Sequence, residues 1–124
     1  MNDRVRTLLV ELKSGLASVY GERLKGVYLY GSYARGEEDG ESDADVLIVL
    51  DHCDRYGAEV ERTGHLISAL SLKYGVSISR AFVSQTDWSR GETPFLVNAR
   101  DEAIPVGQAD EFLREARRYL GQAS

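Results

Sequence analysis

Gly31-Ser32-Tyr33-Ala34-Arg35-Gly36, followed after an acidic loop by Ser42-Asp43-Ala44-Asp45-Val46-Leu47, is the stretch on which the fold turns. Upstream of it, Leu24 to Tyr30 is rich in β-formers and ends at a glycine, which predicts a strand, and Ser32 can then open a short helical turn through Arg35. Glu37 to Ser42 is acidic, holds Gly40 and has no apolar residue, so it reads as a solvent-facing loop. From Asp43 to Leu50 the chain runs Asp-Ala-Asp-Val-Leu-Ile-Val-Leu. It is apolar on both faces after Asp45, as expected of a central strand covered on both sides.

Two features of this stretch carry chemistry. Gly31 has no Cβ, so its backbone can approach a phosphate closely, and the N–H groups opening the next turn point at the anion with help from the helix dipole. The Ser32 hydroxyl can donate one more hydrogen bond. Asp43 and Asp45, two apart on a strand, project from one face with Cα atoms ~6.5–7 Å apart, given a rise of about 3.3 Å per residue. If the carboxylate tips come to about 4 Å, their repulsion costs about 4 kcal/mol at an effective dielectric near 20, so the pair calls for a cation. So small an all-oxygen set suits Mg²⁺, which keeps several waters and completes its shell from substrate phosphates, and the implied substrate is a nucleoside triphosphate.

Taken singly, each feature has an ordinary reading. Gly-Ser after a strand is a common turn and helix cap, and aspartates gather at strand starts because loops end there. Together they form a Gly-Ser cradle, ten intervening residues and an Asp-x-Asp, each on the expected element. At roughly 7% per residue type, those four letters recur by chance in only a few chains per thousand of this length.

Outward from this stretch, Val5, Leu8, Leu9, Leu12, Leu16, Val19 and Tyr20 recur at helical spacing, with Asn2 or Asp3 as N-cap and Gly21 as the stop. Tyr56, Val60, Ile67, Leu70 and Tyr74 mark a long second helix that Gly75 terminates, and Val76 to Ser84 alternates as a third strand. Thr93-Pro94 is a helix entry, because proline at the first helical position loses no needed hydrogen bond; a short helix through Phe95 and Val97 follows. Ile104-Pro105-Val106 reads as a brief edge strand. Phe112, Leu113, Ala116, Tyr119 and Leu120 give the apolar face of a last helix, at about residues 108–121, appended to a single domain spanning 1–124. Its other face carries Arg114, Arg117 and Arg118, which read either as a partner or dimer surface, making a homo-oligomer, or as an ordinary solvated face.

Composition narrows the function classes. At 124 residues the chain has room for one core but not for a catalytic and a substrate domain, so a large substrate is held partly by another chain. With 43% apolar and 28% charged residues and no apolar run near the ~20 residues that span a bilayer, it is expected to be cytoplasmic with no membrane role. The N-terminus also lacks the pattern of a secretion signal. A formal charge of -5 argues against general nucleic-acid binding, which neutralises phosphates with Lys and Arg. The lone Cys53, beside His52, can form no internal disulfide and has too few partners for a zinc site.

The stretch from Gly31 through Gly36 and from Ser42 through Leu47 closely resembles the signature of the polymerase-beta-type nucleotidyltransferase superfamily, in particular its minimal members. Its spacing is similar to that of the antitoxins encoded beside HEPN-domain toxins. The resemblance extends more loosely from the first helix to Val106. It implies an α+β fold, a short mixed β-sheet flanked by α-helices. It also implies a reaction in which a metal-bound triphosphate donates a nucleoside monophosphate, AMP from ATP, to a hydroxyl. In the antitoxins the acceptor is a tyrosine of the toxin. By that match Gly31 and Ser32 hold the triphosphate, and Asp43 and Asp45 are the catalytic carboxylates that carry Mg²⁺. Arg35 is expected to pair with Glu37, Glu38 or Asp39 rather than to take part in catalysis.

Active relatives place a third acidic residue on a later strand, where this chain has Ser77 and Ser79. Asp51 cannot substitute, since six residues of extended chain put it about 20 Å from Asp45. Two readings therefore stay open. One is an enzyme with a reduced site, whose acceptor or partner supplies the base; the other is a catalytically silent nucleotide-binding module that neutralises a partner by covering it. Transfer to a small antibiotic is less favoured, because those relatives carry an extra helical domain.

Overall fold

The computed structural model describes residues 3–107; the last helix expected near 108–121, with Arg114, Arg117 and Arg118, lies outside the described residues. The chain starts with α1 (Asp3–Tyr20), a 3-10 turn (Gly21–Arg23) and β1 (Leu24–Tyr30). After a single helical turn, α2 (Ser32–Arg35), come β2 (Ala44–Leu50), α3 (Tyr56–Tyr74) and β3 (Ile78–Ser84). Two short helices follow, α4 (Gln85–Arg90) and α5 (Pro94–Glu102), then β4 (Ile104–Pro105). The strands form one mixed sheet in the order β3-β2-β1-β4. β1 is antiparallel to β2 and β4, and β2 is parallel to β3, with α3 as the crossover between them.

Local chemistry accounts for the element ends. Gly75 closes α3 at φ 64°, a left-handed conformation that costs glycine nothing, and its N–H returns to Ser71 O at 2.9 Å. At the start of α5, the Thr93 hydroxyl accepts the Leu96 N–H at 3.2 Å and Pro94 fills the first helical position. α4 was not foreseen. Its six residues show no apolar periodicity, and it is started by Ser84, whose hydroxyl accepts the Asp87 N–H.

The strand period of two divides the core. Val46, Ile48 and Leu50 of β2 and Val27 and Leu29 of β1 pack under Leu8, Leu9, Leu12 and Leu16 of α1 and Ile67 and Leu70 of α3. Leu47 and Val49 point the other way, to a smaller cluster with Val83 and Leu96, edged by Tyr28, Tyr30, Ala81 and Trp88. Full burial of one Leu or Ile is worth about 1.5–3 kcal/mol, so most of the folding drive lies under α1 and α3.

Several side chains depart from the expected stripes. Val19 and Tyr56, assigned to buried faces, are 39% and 49% exposed. On α5 the buried residues are Leu96 and Ala99, while Phe95 and Val97 stay about half exposed, at 47% and 46%. Glu59 is buried on α3 because it has partners: the Tyr20 hydroxyl and Arg23 Nη2 both donate to it at 3.0 Å. Burial pushes its carboxyl up, but Arg23 and Tyr20 outweigh that and hold it below the usual glutamate value. Among the described residues, no helix is long and apolar enough to cross a membrane.

Candidate active site

The end of β1 and the start of β2 lie side by side, because antiparallel pairing sets Tyr30 opposite Asp45. Gly31 then turns the chain at φ 75° and ψ -156°, a region open essentially to glycine alone. The same residue abuts the second strand so closely that a Cβ on it would run into the Asp45 carboxylate, with Cγ 3.0 Å away. Glycine is thus required twice, for the turn and for the approach. Ser32 opens α2, whose four residues close on Gly36. So short a helix contributes little dipole, and any hold on an anion rests on individual donors.

Gly31, Ser32 and Asp45 line one open cleft of about 340 Å³, together with Tyr30, Arg35 and, from α5, Phe95, Asn98, Ala99 and Glu102. Asp45 is half-buried on the face of β2 that also carries Leu47 and Val49. Burial, then the neighbouring Asp43 charge, and lastly Glu102 push its carboxyl above the usual range; Arg35 pulls the other way. Asp43 differs from expectation. β2 begins at Ala44, so Asp43 is the exposed residue just before the strand and does not line the cleft, although its charge is felt at Asp45.

Neither aspartate accepts a side-chain hydrogen bond among the described residues, and no group of three or more His, Cys, Asp or Glu there is arranged to hold a metal by itself. Two carboxylates without side-chain hydrogen bonds, of which Asp45 is costly to ionise, are a donor set that fits Mg²⁺ completed by water and phosphate oxygens, and fits a fully protein-caged ion poorly. Ser79 stands opposite Asp45 on β3, and neither it nor Ser77 just before the strand supplies a carboxylate there.

Arg35 pairs with Glu37 at 2.9 Å, as the spacing suggested, and also with Glu102 at 2.9 Å. The second Glu102 oxygen accepts the Gly31 N–H at 3.0 Å. Arg35 first, and then that N–H, hold the Glu102 carboxyl below its ordinary value. Glu102, Asn98 and Phe95 went unnoticed in the sequence. Their spacing of three and four along α5 does put them on one helix face, a legible signal, but nothing local says that this face meets Gly31. Phe95 stands edge-on to Tyr30, with ring centroids 5.6 Å apart. Cys53 lies beyond the opposite end of β2, and burial pushes its thiol up, away from reactivity.

Residues 9–95 match the nucleotidyltransferase domain family. Two chains of Methanocaldococcus jannaschii that carry the provisional name protein adenylyltransferase are similar. One is 35% identical over 79 residues, 64% of this chain and 79% of that one. The other is 40% identical over 75 residues, 60% of this chain and 69% of that one. In three dimensions, a toxin-antitoxin crystal structure with AMP-PNP overlays 95% of this chain and 87% of its own with a TM-score of 0.53 at 20% identity, which speaks to the fold.

Proposed function

The chain belongs to the nucleotidyltransferase domain family as a minimal member, and from that premise we propose that it transfers AMP from ATP to a hydroxyl on a protein partner, a HEPN-type toxin, as a cytoplasmic antitoxin. The observation that carries this reading is the convergence of Gly31, Ser32 and Asp45 on one cleft next to a cation, Arg35. The two archaeal relatives named as protein adenylyltransferases support a protein acceptor. The toxin-antitoxin neighbour with AMP-PNP supports the pairing with a toxin and the use of an adenine nucleotide.

In the proposed reaction the acceptor oxygen bonds to the α-phosphorus, the bond to the bridging oxygen breaks, and pyrophosphate leaves with its electron pair. Gly31 N–H, the Ser32 hydroxyl and Arg35 bind the triphosphate and fix its direction in the cleft. Asp45, with Asp43 at the rim, would hold Mg²⁺, which offsets charge on the phosphates and lowers the pKa of the acceptor hydroxyl. Tyr30, Phe95 and Ala99 form the apolar wall of the cleft beside Asp45. The acceptor proton goes to a base on the partner or to solvent, since β3 offers Ser79 where a carboxylate would serve.

That serine favours a second reading, a silent module that binds nucleotide and neutralises its partner by complex formation. The test is to mix the purified chain with Mg-ATP and the product of its neighbouring gene and weigh both proteins by mass spectrometry. An AMP adduct on the partner that vanishes in Asp45→Asn is the expected result. Inhibition of the partner without an adduct, unchanged in Asp45→Asn, would select the silent module.

A further inference from the structure

Glu102 is the last residue of α5, and its carboxylate reaches into the cleft from 71 residues away in sequence to accept the Gly31 N–H. Its other oxygen takes the Arg35 guanidinium at 2.9 Å. These are the cleft's backbone donor, unshielded by any Cβ, and its cation, the two groups an anionic oxygen would seek first. A carboxylate already sits on both.

Two further observations make this placement informative. A negative charge at the C-terminal end of a helix lies at the unfavourable pole of the helix dipole, so Glu102 gains nothing from its own helix, and its partners are Gly31 and Arg35. Arg35 does not depend on Glu102 in return, because Glu37 holds its Nε at 2.9 Å. Glu102 can therefore leave without orphaning the guanidinium. Its side chain is 24% exposed, so a change of rotamer carries the carboxylate out to water.

We propose that Glu102 is an internal competitor for phosphate, an affinity-setting residue whose carboxylate fills the anion position between Gly31 and Arg35 until the triphosphate of a nucleotide displaces it. The inference rests on the reading of the cleft as a nucleoside triphosphate site. Two anions cannot share the same two donors, so nucleotide binds only the fraction of molecules in which Glu102 has swung away. Apparent affinity falls by that fraction: a cleft filled by its own carboxylate nine-tenths of the time binds about 10-fold more weakly than an open one.

The experiment is calorimetric titration of the full chain with Mg-ATP, comparing wild type with Glu102→Gln and with Glu102→Asp, which keeps the charge on a side chain one methylene shorter and so competes less well for both donors. Thermal unfolding establishes that each variant is folded. The expected result is about 10-fold tighter binding in Glu102→Gln, a smaller gain in Glu102→Asp, and a slightly lower melting temperature for both without nucleotide. A purely structural role would lower the melting temperature and weaken binding together. Equal affinity in all three proteins, or weaker binding in the variants, overturns the competitor while leaving the nucleotide site standing. Failure of all three to bind overturns both.

Discussion

On one side of the sheet, helices of 18 and 19 residues lie over Val46, Ile48 and Leu50; on the other, helices of 6 and 9 residues cover little more than Leu47, Val49 and Val83. The strands are shared, so the difference comes from the covering. The thick face supplies the buried area that folds the chain. Among the described residues the thin face leaves the head of β2 uncovered, and there Asp45 stands beside Gly31. Within the described residues the thin face thus gains a cleft without opening the main core, and the residues of the cleft are freed from the demands of packing.

The sharpest way to break this comparison uses two neighbours on β2. Ile48 and Leu47 are both fully buried but point to opposite faces. Truncating Ile48 to Ala should cost about 4 kcal/mol, near the top of the usual range, whereas Leu47→Ala should cost about 2, because the short helices over it can settle into the void. Urea unfolding measures both, and equal costs would mean that the two faces are equally rigid.

Next in size is the seal of the thick face at the end away from the cleft, where Arg23 bridges Glu59 and Asp51 at 3.0 and 3.1 Å. Arg23→Ala leaves the buried Glu59 carboxylate with Tyr20 and the more distant Arg62, and should cost about 2–3 kcal/mol at pH 7. The pH dependence has a definite sign. The folded Glu59 carboxyl lies below its ordinary value of 4.5, so its contribution is complete above that pH and is lost as pH falls through the folded value. Denaturant midpoints at pH 7 and pH 3 should therefore fall further in wild type than in Arg23→Ala. A parallel fall in both would show that Arg23 is not what holds Glu59 ionised.

On the thin face, Gly31→Ala meets both the positive φ and the Asp45 carboxylate, and should destabilise by about 1–3 kcal/mol while abolishing binding of Mg-ATP. Retained binding would remove Gly31 from the cradle. The smallest effect is the most diagnostic. Because the fold disfavours the ionised Asp45, Asp45→Asn should stabilise the chain in EDTA, by less than about 1 kcal/mol once solvent screening is allowed for, even as it eliminates transfer. A drop in melting temperature would instead give Asp45 a structural role.

Much of this was legible because it is local. The β1–Gly31–Ser32 turn, the apolar body of β2 and the glycine stop of α3 follow from sterics and periodicity within a few residues. The helix stripes were legible in their period but not at their margins. Val19 and Tyr56 fit the pattern yet remain exposed, because a stripe's edge is buried only where a neighbour reaches it. Glu59 broke the pattern and is buried, since its partners Tyr20 and Arg23 lie 39 and 36 residues earlier. Asp43 read as part of the strand, but pairing with β3 begins only at Ala44.

The sequence by itself determined the chemical parts of the site: a glycine that can turn sharply, a hydroxyl beside it, a carboxylate at the head of a buried strand, and no acid on β3. Tertiary structure alone decided what those parts meet. It brought α5 across the thin face, set Glu102 on the Gly31 N–H and on Arg35, and left Asp43 exposed just before β2. The reason is range: backbone geometry and strand period act over a few bonds, whereas the closure of the cleft depends on where a helix residue 71 positions along the chain comes to rest.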